Sequence, residues 1–324
     1  MKPPYQLTPR ILELVGDCLR LIGRCEGSPS SRPLPRLRRR NRIRTIHGSL
    51  TIEGNTLDLD QVTAVLDGKR VAGPARDVKE VTNAIAAYDQ LAHLIPHSLE
   101  SLCRAHELLT NGLVARPGTL RQGAVGIARA GKVMHVAPPA SMVHPLLKDL
   151  LRYVRKGTDN LLVRSCVFHY ELEFIHPFVD GNGRLGRLWQ TVILRRQFPL
   201  FDHLPVESLV HDRQKAYYAA LAKSDAAGQA TAFVEFMLAA MRDALEEYAG
   251  QLVLTRPSRG DRLEHARSEF GARQFSRQAY QRCLKTVSAP TASRDLQYGV
   301  ESGMLQRTGD KRTARYCFTR RREC

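Results

Sequence analysis

Residues 176–187 read His-Pro-Phe-Val-Asp-Gly-Asn-Gly-Arg-Leu-Gly-Arg, and this stretch decides the fold because it interrupts two strongly apolar segments. Residues 160–175 upstream and 185–193 downstream both carry apolar side chains at the spacing of a buried helix. Pro177 and the glycines that follow it are typical of a loop. The stretch therefore predicts a tight connection between two core helices.

The same loop contains the chemical groups of an anion site. Gly181 and Gly183 can adopt a positive φ and bring backbone N–H groups close to a ligand. The helix that begins near Arg184 points its free amides and its positive dipole end toward the loop. Arg184 and Arg187 lie three residues apart on the first turn, where both can reach phosphate oxygens, and Asn182 can donate to another. We therefore expect a phosphate group in this loop.

Two further side chains indicate what happens to the phosphate. A carboxylate beside a phosphate is repulsive unless a hard cation lies between them, so Asp180 predicts a Mg²⁺ ion shared with the phosphates. His176 is the group in this loop that can take a proton near neutral pH, and Phe178 is expected to anchor the loop in the core. The arrangement predicts attack on phosphorus by a hydroxyl that His176 deprotonates.

The pattern His-x-Phe-x-Asp-Gly-Asn-Gly-Arg-x-x-Arg resembles the signature of the Fic family, and every specified position is met. The resemblance implies transfer of AMP from MgATP to a Ser, Thr or Tyr hydroxyl of a target protein, with pyrophosphate leaving. It also implies that Asn182 and Arg184 bind the α and β phosphates and that Arg187 binds the γ phosphate. Three alternatives stay open: a glycine-rich helix cap with a structural His, a relative that uses another donor or removes AMP, and a nucleotide-sensing DNA-binding regulator.

A second motif lies nearer the N-terminus. Residues 49–55 read Ser-Leu-Thr-Ile-Glu-Gly-Asn, and Gly54 is predicted to end the preceding helix. The stretch resembles the inhibitory motif of the Fic family. That resemblance implies that Glu53 pairs with Arg187 and that Ser49 supports the position of the Glu53 carboxylate. The alternative is a solvated Glu at the end of a helix.

Residues 121–136 break the helical pattern and predict two short strands around a turn. In Fic proteins a hairpin at this place forms a flap that holds the backbone of the target by strand addition. The resemblance therefore assigns a flap role to the strand that begins with Val125, Gly126 and Ile127. An ordinary surface hairpin is the alternative.

The remaining pattern predicts a mainly α fold, a Fic-type helical bundle with a β-hairpin flap. Asp77 and Glu80 have the spacing of a capping box at the start of a helix over residues 77–95. We expect an N-terminal helical region with the inhibitory helix over residues 1–97. The Fic core domain is expected over residues 98–255.

Residues 256–324 are expected to form a separate small domain. The preceding polar stretch breaks helices, and three predicted helices with two short strands resemble a winged helix-turn-helix. The region has 16 Lys and Arg against 7 Asp and Glu, so it holds much of the net charge of +17. DNA binding and protein docking both stay open for such a domain. The side chains expected in the major groove or on phosphate are Thr291, Ser293, Arg294, Lys311 and Arg312.

Composition also bears on the location of the protein. The seven cysteines show no paired spacing, which is typical of reduced thiols in the cytosol. No window approaches 18 uninterrupted apolar residues, and the N-terminus lacks an apolar signal core, so membrane insertion and secretion are not expected. Export by a specialised apparatus stays open. The sequence thus predicts a cytoplasmic protein, and it leaves homodimer formation open.

Overall fold

The computed structural model describes residues 3–27, 35–129, 132–254, 258–284, 287–310 and 313–319, with the backbone alone at 126–129, 132–136, 253 and 254. The chain divides into two compact units. The larger unit comprises residues 1–26 and 41–249, and the smaller comprises residues 27–40 and 250–324.

Helices make up most of the larger unit. They are α1 Pro9–Glu26, α2 Pro35–Ile52, α3 Leu59–Leu66, α4 Ala75–Asp89, α5 Leu99–Thr110, α6 Ala140–Lys156, α7 Leu161–Ile175, α8 Asn182–Leu194, α9 Val206–Asp212, α10 Gln214–Ala227 and α11 Thr231–Leu254, with 3₁₀ turns at Leu91–His93 and Pro199–His203. The first residues of α2 and the last of α11 belong to the smaller unit. The prediction of a mainly α fold is confirmed.

The loop of residues 176–181 joins α7 to α8, as the sequence predicts, and these two helices form the centre of the larger unit. Apolar side chains on nearly all sides of both helices are buried. Trp189 is fully enclosed, and its indole N–H donates to the carbonyl of Pro96 at 3.1 Å. Phe178 is fully buried. Burial of its ring contributes about 1.5–3 kcal/mol toward keeping the loop against the core.

The start of α4 differs from the prediction. The helix follows Pro74, and no side chain caps its N-terminus. Asp77 instead accepts hydrogen bonds from the backbone N–H and the hydroxyl of Thr56 at 2.8 and 2.6 Å, while Glu80 is buried. The predicted capping box is therefore wrong, because both carboxylates have partners that are distant in the sequence. The helix also ends at Asp89, earlier than expected.

The end of α2 agrees with the prediction. The helix stops at Ile52, and Gly54 turns the chain with a φ of +94°. Side chains of Gln214 and Tyr218 on α10 donate to the carbonyl of Ile52 at 2.8 and 3.3 Å. These bonds satisfy a carbonyl that the helix itself leaves without a partner. They fix the helix end from which Glu53 projects.

The predicted hairpin consists of two antiparallel strands, β1 Gly126–Arg129 and β2 Lys132–Val136. The register is irregular after Ile127. One further backbone bond, from the N–H of Ala137 to the carbonyl of Val125 at 3.3 Å, extends the pairing toward the base of the hairpin. Outer edges of a two-stranded ribbon can accept another strand, so the architecture suits a flap. That role stays a prediction.

The smaller unit has its own helices and strands and its own core. Its elements are α12 Arg259–Phe270, α13 Arg277–Leu284, α14 Ala289–Glu301, β3 Leu305–Thr308 and β4 Arg315–Phe318. Strands β3 and β4 pair in antiparallel fashion. Phe275, between α12 and α13, exchanges two backbone hydrogen bonds of 2.9 Å with Tyr316 of β4. Lys311 and Arg312, which the sequence assigns to the wing, lie outside the described residues.

The expected boundary near residue 98 does not separate compact units. The side-chain amide of Asn83 donates to the carbonyls of Leu109 and Asn111 at 3.3 and 2.9 Å. Helices on both sides of the boundary therefore share one core. The division of the larger unit into an N-terminal region and a Fic core stays a prediction about roles rather than about separate folding.

Two other expectations concern the chain as a whole. Cysteines 18, 25, 103, 166, 283 and 317, which lie in the described parts of the chain, form no disulfide. Among the helices that the structure describes, none combines the length and the apolar character that a bilayer crossing needs.

Candidate active site

The loop between α7 and α8 begins with a left-handed residue. His176 has φ 47° and ψ 61°, and in the described ranges it is the one residue other than glycine with a positive φ. Such a conformation costs about 1–3 kcal/mol and is typical of functional sites. The His176 N–H still donates to the carbonyl of Leu172 at 2.9 Å. The predicted base thus stands where the helix stops and the chain turns sharply.

Asn182, the first residue of α8, closes the loop on itself. Its side-chain NH₂ donates to the carbonyl of Phe178 at 2.8 Å, and its side-chain oxygen accepts the Phe178 N–H at 3.0 Å. The side chain is buried, and both of its polar ends are used inside the loop. The Asn182 side chain therefore sets the shape of the loop. Its backbone N–H, at the start of the helix, is the group suited to an anion.

His106 of α5 packs against the loop and bonds to its backbone. Its ring stacks on Phe178, with the two ring centroids 3.7 Å apart and the planes 6° from parallel. Nδ1 accepts the N–H of Gly118 at 2.9 Å, so the ring proton is on Nε2, which donates to the Asp180 carbonyl at 2.8 Å. Burial lowers the pKa of His106, which keeps the imidazole neutral. The sequence pattern showed α5 only as a core helix.

The first turn of α8 is the predicted anion site. Gly181 has a φ of +86°, and a Cβ at this position would lie 2.7 Å from the Thr110 methyl group, so only glycine fits. A Cβ at Gly183 would collide with the carboxylate of Glu53. The Glu53 carboxylate therefore lies directly against the N-terminal turn of α8, on the surface where the sequence predicts phosphate.

Arg187 holds Glu53 in this position. Its Nη2 donates to Glu53 Oε1 at 2.7 Å and to the Ser49 carbonyl at 2.9 Å, and its Nε donates to Ser49 Oγ at 3.1 Å. Burial alone would lower the pKa of Arg187, but the Glu53 carboxylate and Tyr217 reverse this effect and raise it. The sequence assigned Ser49 to the support of the carboxylate. In the structure it contacts the guanidinium instead.

The remaining nitrogen of Arg187 also faces the glycine turn. Its Nη1 is buried and has no hydrogen-bond acceptor among the residues that the structure describes. It would lie 3.2 Å from a Cβ at Gly183. A buried donor without an acceptor costs about 1–3 kcal/mol. An anionic oxygen placed over this turn would satisfy it.

Asp180 and Arg184 belong to a ring of four charges that includes two residues of α4. Nη2 of Arg184 lies 3.3 Å from Oδ1 of Asp180, and Nη2 of Arg76 lies 3.2 Å from Oδ2 of the same carboxylate. Both arginines also contact Glu80 Oε1, at 3.3 and 3.4 Å. Asp180 and Arg76 are exposed to solvent, whereas Arg184 and Glu80 are buried. The ring connects the active loop to the N-terminal region, and no sequence motif marked Arg76 or Glu80 as site residues.

Asp180 is the candidate ligand for a cation. Within the described ranges no three or more His, Cys, Asp or Glu side chains form a group that could hold a metal. A cation here would therefore take most of its ligands from phosphate and water. Mg²⁺ is typically bound in this way, through one or two carboxylates plus substrate phosphates. The exposed Asp180 carboxylate fits this pattern once Arg76 moves away from Oδ2.

Comparisons with known proteins agree with this geometry. A sequence model of the Fic/DOC family matches residues 96–194, which include the whole loop. The crystal structure of a Fic family protein from Desulfovibrio desulfuricans G20 is 44% identical, covers 99% of both chains and gives a TM-score of 0.76. The chain belongs to the Fic family.

Curated relatives match this Fic protein over part of their length. It is 28% identical over 237 residues to protein adenylyltransferase fic-1 of Caenorhabditis elegans. The matched residues make up 68% of this chain and 44% of that protein. It is 25% identical over 270 residues to protein adenylyltransferase Fic of Drosophila melanogaster, 76% of this chain and 52% of that one. The chain spans about half the length of these relatives. A solved structure of C. elegans Fic-1 shares the fold. It is 22% identical, has a TM-score of 0.62, and the match covers 75% of this chain and 73% of that one.

Behind Arg187, the Fic core contains a buried polar cluster. His169 is fully buried and lies 3.2 Å from both the side-chain oxygen of Gln190 and the Tyr217 hydroxyl. Burial lowers the pKa of His169 to about 3 and raises the pKa of Glu173 to about 8. Both groups are therefore neutral near pH 7, and the charge of Arg187 remains available to a negative group over the α8 turn.

The hairpin expected to serve as a flap is connected to the loop by a residue that the sequence analysis did not single out. Arg121 lies shortly before Val125, Gly126 and Ile127, and its Nε donates to the His176 carbonyl at 2.7 Å. The loop carbonyl that it contacts is 55 positions away, so no local pattern could have revealed this bond.

Proposed function

We propose that this Fic protein is a protein adenylyltransferase that transfers AMP from ATP to a Ser, Thr or Tyr hydroxyl of a target protein. One observation carries the proposal. The Glu53 carboxylate lies against the first turn of α8 and is bonded to Arg187, so an anionic group already lies on the surface suited to phosphate. The names of the curated relatives support the same activity.

In this proposal the phosphates of ATP bind across the N-terminal turn of α8. The backbone N–H groups of Asn182 and Gly183 would face the nucleotide, and the helix dipole favours the negative charge. The Gly181 N–H donates to Asp180 Oδ1 at 2.6 Å instead. Arg187 binds the γ phosphate, since its Nη1 faces the turn and its Nη2 becomes available when Glu53 moves away. Arg184 and Asn182 contribute to binding of the α and β phosphates. The Arg184 guanidinium is held by its ion pair with Glu80.

His176 acts as the general base. The target hydroxyl gives its proton to the imidazole as its oxygen attacks the α phosphorus in line with the leaving oxygen. A new phosphorus–oxygen bond forms to the target, the bond between the α phosphorus and the bridging oxygen breaks, and pyrophosphate leaves. The fixed loop conformation holds the imidazole near the α phosphorus, and such positioning accounts for much of the acceleration in phosphoryl transfer.

Asp180 would hold Mg²⁺ together with the phosphates. When bound, the cation would neutralise charge that develops on the phosphate oxygens. The contribution of the chain is a carboxylate on a rigid loop, positioned by the bond between the Asp180 carbonyl and His106. Arg76 would have to leave Oδ2 of Asp180 as the cation binds.

Asp180→Ala is expected to lower the rate by about 10²-fold or more, because metal stabilisation of a phosphoryl-transfer transition state is worth several kcal/mol. The residual rate should be insensitive to Mg²⁺. A magnesium titration of initial rates in a chain that also carries Glu53→Gly, with Asp60→Ala on the exposed surface of α3 as the control, measures both effects. Should the Asp180 variant keep the metal dependence of the parent protein, the cation is held elsewhere.

Autoinhibition by Glu53 is part of the proposed function. Its carboxylate uses the Arg187 group assigned to the γ phosphate, and it collides with any group placed over Gly183. ATP would then bind poorly or with its α phosphorus turned away from the attacking hydroxyl. The basal activity of the intact chain should be low.

A second function, DNA binding through the smaller unit, is supported by the strand pairing of Phe275 with Tyr316. The order of helices and strands that results supports a winged helix, in which α14 would be the recognition helix. Arg294, Gln297 and Tyr298 form an exposed face on α14. Thr291 is partly exposed, whereas Ser293 Oγ accepts a hydrogen bond from Arg277 and donates to the Ala289 carbonyl.

Duplex DNA is expected to bind the intact protein with an affinity that falls steeply as salt rises. With six or more phosphate contacts the loss between 50 and 200 mM salt would be about 10³-fold. Arg294→Ala should weaken low-salt binding by about tenfold or more if this side chain reaches a base edge, whereas Arg10→Ala on α1 should not. Gel shifts across a salt series test this expectation. Absence of binding at low salt would indicate protein docking instead.

We also propose a cytoplasmic location. The support is that the six cysteines in the described parts of the chain form no disulfide, a state typical of a reducing compartment.

A further inference from the structure

Arg121 makes an unusual set of contacts for a residue that precedes a surface hairpin. The side chain is only 4% exposed. Its guanidinium donates four hydrogen bonds, all to backbone carbonyls, and its own backbone N–H donates to the carbonyl of Pro177 at 2.9 Å. The four guanidinium bonds go to His176 at 2.7 Å, Gly123 at 2.8 Å, Pro138 at 2.6 Å and Ile175 at 3.2 Å.

Two of these acceptors lie at the end of α7. The carbonyls of Ile175 and His176 are in the last positions of the helix, where backbone acceptors lack a helical partner and negative partial charge accumulates. A buried guanidinium is well suited to this place because it has several donors in a fixed plane and keeps its charge. His176 is also the residue with the left-handed conformation. Arg121 therefore stabilises the strained peptide that directs the imidazole.

The other two acceptors lie at the two ends of the hairpin. Gly123 precedes β1, and Pro138 follows β2. One guanidinium thus holds both ends of the hairpin and the peptide of His176 at the same time. The position of the hairpin and the orientation of His176 are therefore not independent of each other.

We propose that Arg121 is a positioning residue that orients His176 and links its orientation to the hairpin. The inference rests on the proposed function in two respects, the role of His176 as the base and the role of the hairpin as a flap for the target. An extended segment of a target protein that pairs with the hairpin would fix the two carbonyls at Gly123 and Pro138. Through Arg121 the same pairing would fix the imidazole that takes the proton.

The structure also offers a route to Arg121 from solvent. A cavity of about 210 Å³ beside the loop is lined by Arg121 together with Leu120, Val179 and Asp180. Removal of the Arg121 side chain would extend this cavity toward the four carbonyls. A free guanidinium ion could then enter and restore the lost hydrogen bonds.

The test compares Arg121→Ala and Arg121→Lys with Arg116→Ala, in a chain that also carries Glu53→Gly so that activity can be measured. Arg116 is exposed on the same cavity and serves as the matched control. We expect Arg121→Ala to lower kcat by about 10²-fold, the effect of displacing a reacting group by roughly 1 Å. The dissociation constant for ATP should change little, because the phosphate contacts lie on α8. Millimolar guanidinium should restore part of kcat, and methylammonium should not.

Arg121→Lys cannot reach four carbonyls at once, so its kcat should fall. Because it keeps the charge, this fall should be smaller than that of Arg121→Ala. It also provides a folded variant if the alanine variant does not fold. NMR of the His176 ring in ¹⁵N-labelled protein reports orientation and protonation without any activity. Its signals should shift in both Arg121 variants and remain in place in Arg116→Ala.

Unchanged His176 signals with an unchanged kcat per folded molecule would overturn the proposal. If both Arg121 variants lose thermal stability and ATP affinity but keep a normal kcat, the proposal is overturned as well, because that result indicates a purely structural role for Arg121. If the parent chain does not transfer AMP at all, the proposed function fails. The NMR comparison would still decide whether Arg121 orients His176.

Discussion

His176→Ala is expected to lower AMP transfer by about 10²- to 10⁴-fold, the usual loss when a general base is removed. The fold and the binding of ATP should be nearly unchanged. The His176 carbonyl and N–H, which hold Arg121 and complete α7, belong to the backbone and survive the substitution. The phosphate contacts assigned to α8 and Arg187 also remain.

The measurement is label transfer from ATP to protein in a chain that also carries Glu53→Gly, together with calorimetry of ATP binding to the same preparation. His144→Ala, on the exposed side of α6, is the matched control and should behave as the parent protein does. Undiminished transfer by the His176 variant would remove this residue from the mechanism. Loss of ATP binding together with transfer would indicate a structural role for the side chain.

Glu53→Gly is expected to raise both transfer activity and ATP affinity. The carboxylate accepts a hydrogen bond of 2.7 Å from Arg187, whose side chain is 2% exposed, while the Glu53 side chain is 34% exposed, so water screens the pair from one side only. A hydrogen bond to a charged group is worth about 1.5–3 kcal/mol, which corresponds to about a ten- to a hundredfold gain in competent ATP binding. Glu53 follows the last residue of α2, so glycine at this position does not interrupt the helix.

Two further variants separate this explanation from its alternatives. Arg187→Ala should lose activity and affinity, and the double variant should resemble Arg187→Ala, because the gain depends on freeing that guanidinium. Glu53→Gln keeps the size of the side chain but removes its charge and should activate partially. A solvated Glu with no inhibitory role predicts a stability change within about 0.5 kcal/mol and no change in rate. Equal and robust activity in the parent protein and Glu53→Gly would end the autoinhibition proposal.

The features that the sequence predicted well are local ones. The apolar period around residues 176–187 was enough to place a loop between two core helices, because burial on nearly all sides leaves a clear pattern. Gly54 marked the end of α2 for another local reason, because the left-handed turn there needs glycine. The contact between Glu53 and Arg187 joins residues 134 positions apart, and only the resemblance to a family with both motifs predicted it.

The features that the sequence missed depend on distant partners. Glu80 has the spacing of a helix cap, yet its carboxylate meets Arg184, 104 positions away. His106 meets the Asp180 carbonyl over 74 positions, and Arg121 meets His176 over 55. Local periodicity shows these residues as ordinary parts of a helix or loop. Asn182 illustrates a different limit, because an amide can serve either a ligand or its own loop, and only coordinates distinguish the two uses.

AMP transfer is measured by giving Glu53→Gly two preparations of ATP, one labelled at the α phosphate and one at the γ phosphate, in the presence of lysate proteins. AMP transfer with His176 as the base predicts that α label becomes attached to protein, that γ label does not, and that the Glu53→Gly/His176→Ala double variant transfers neither. Protein labelling from the γ position, no labelling from the α position, or equal α labelling by the double variant would contradict it.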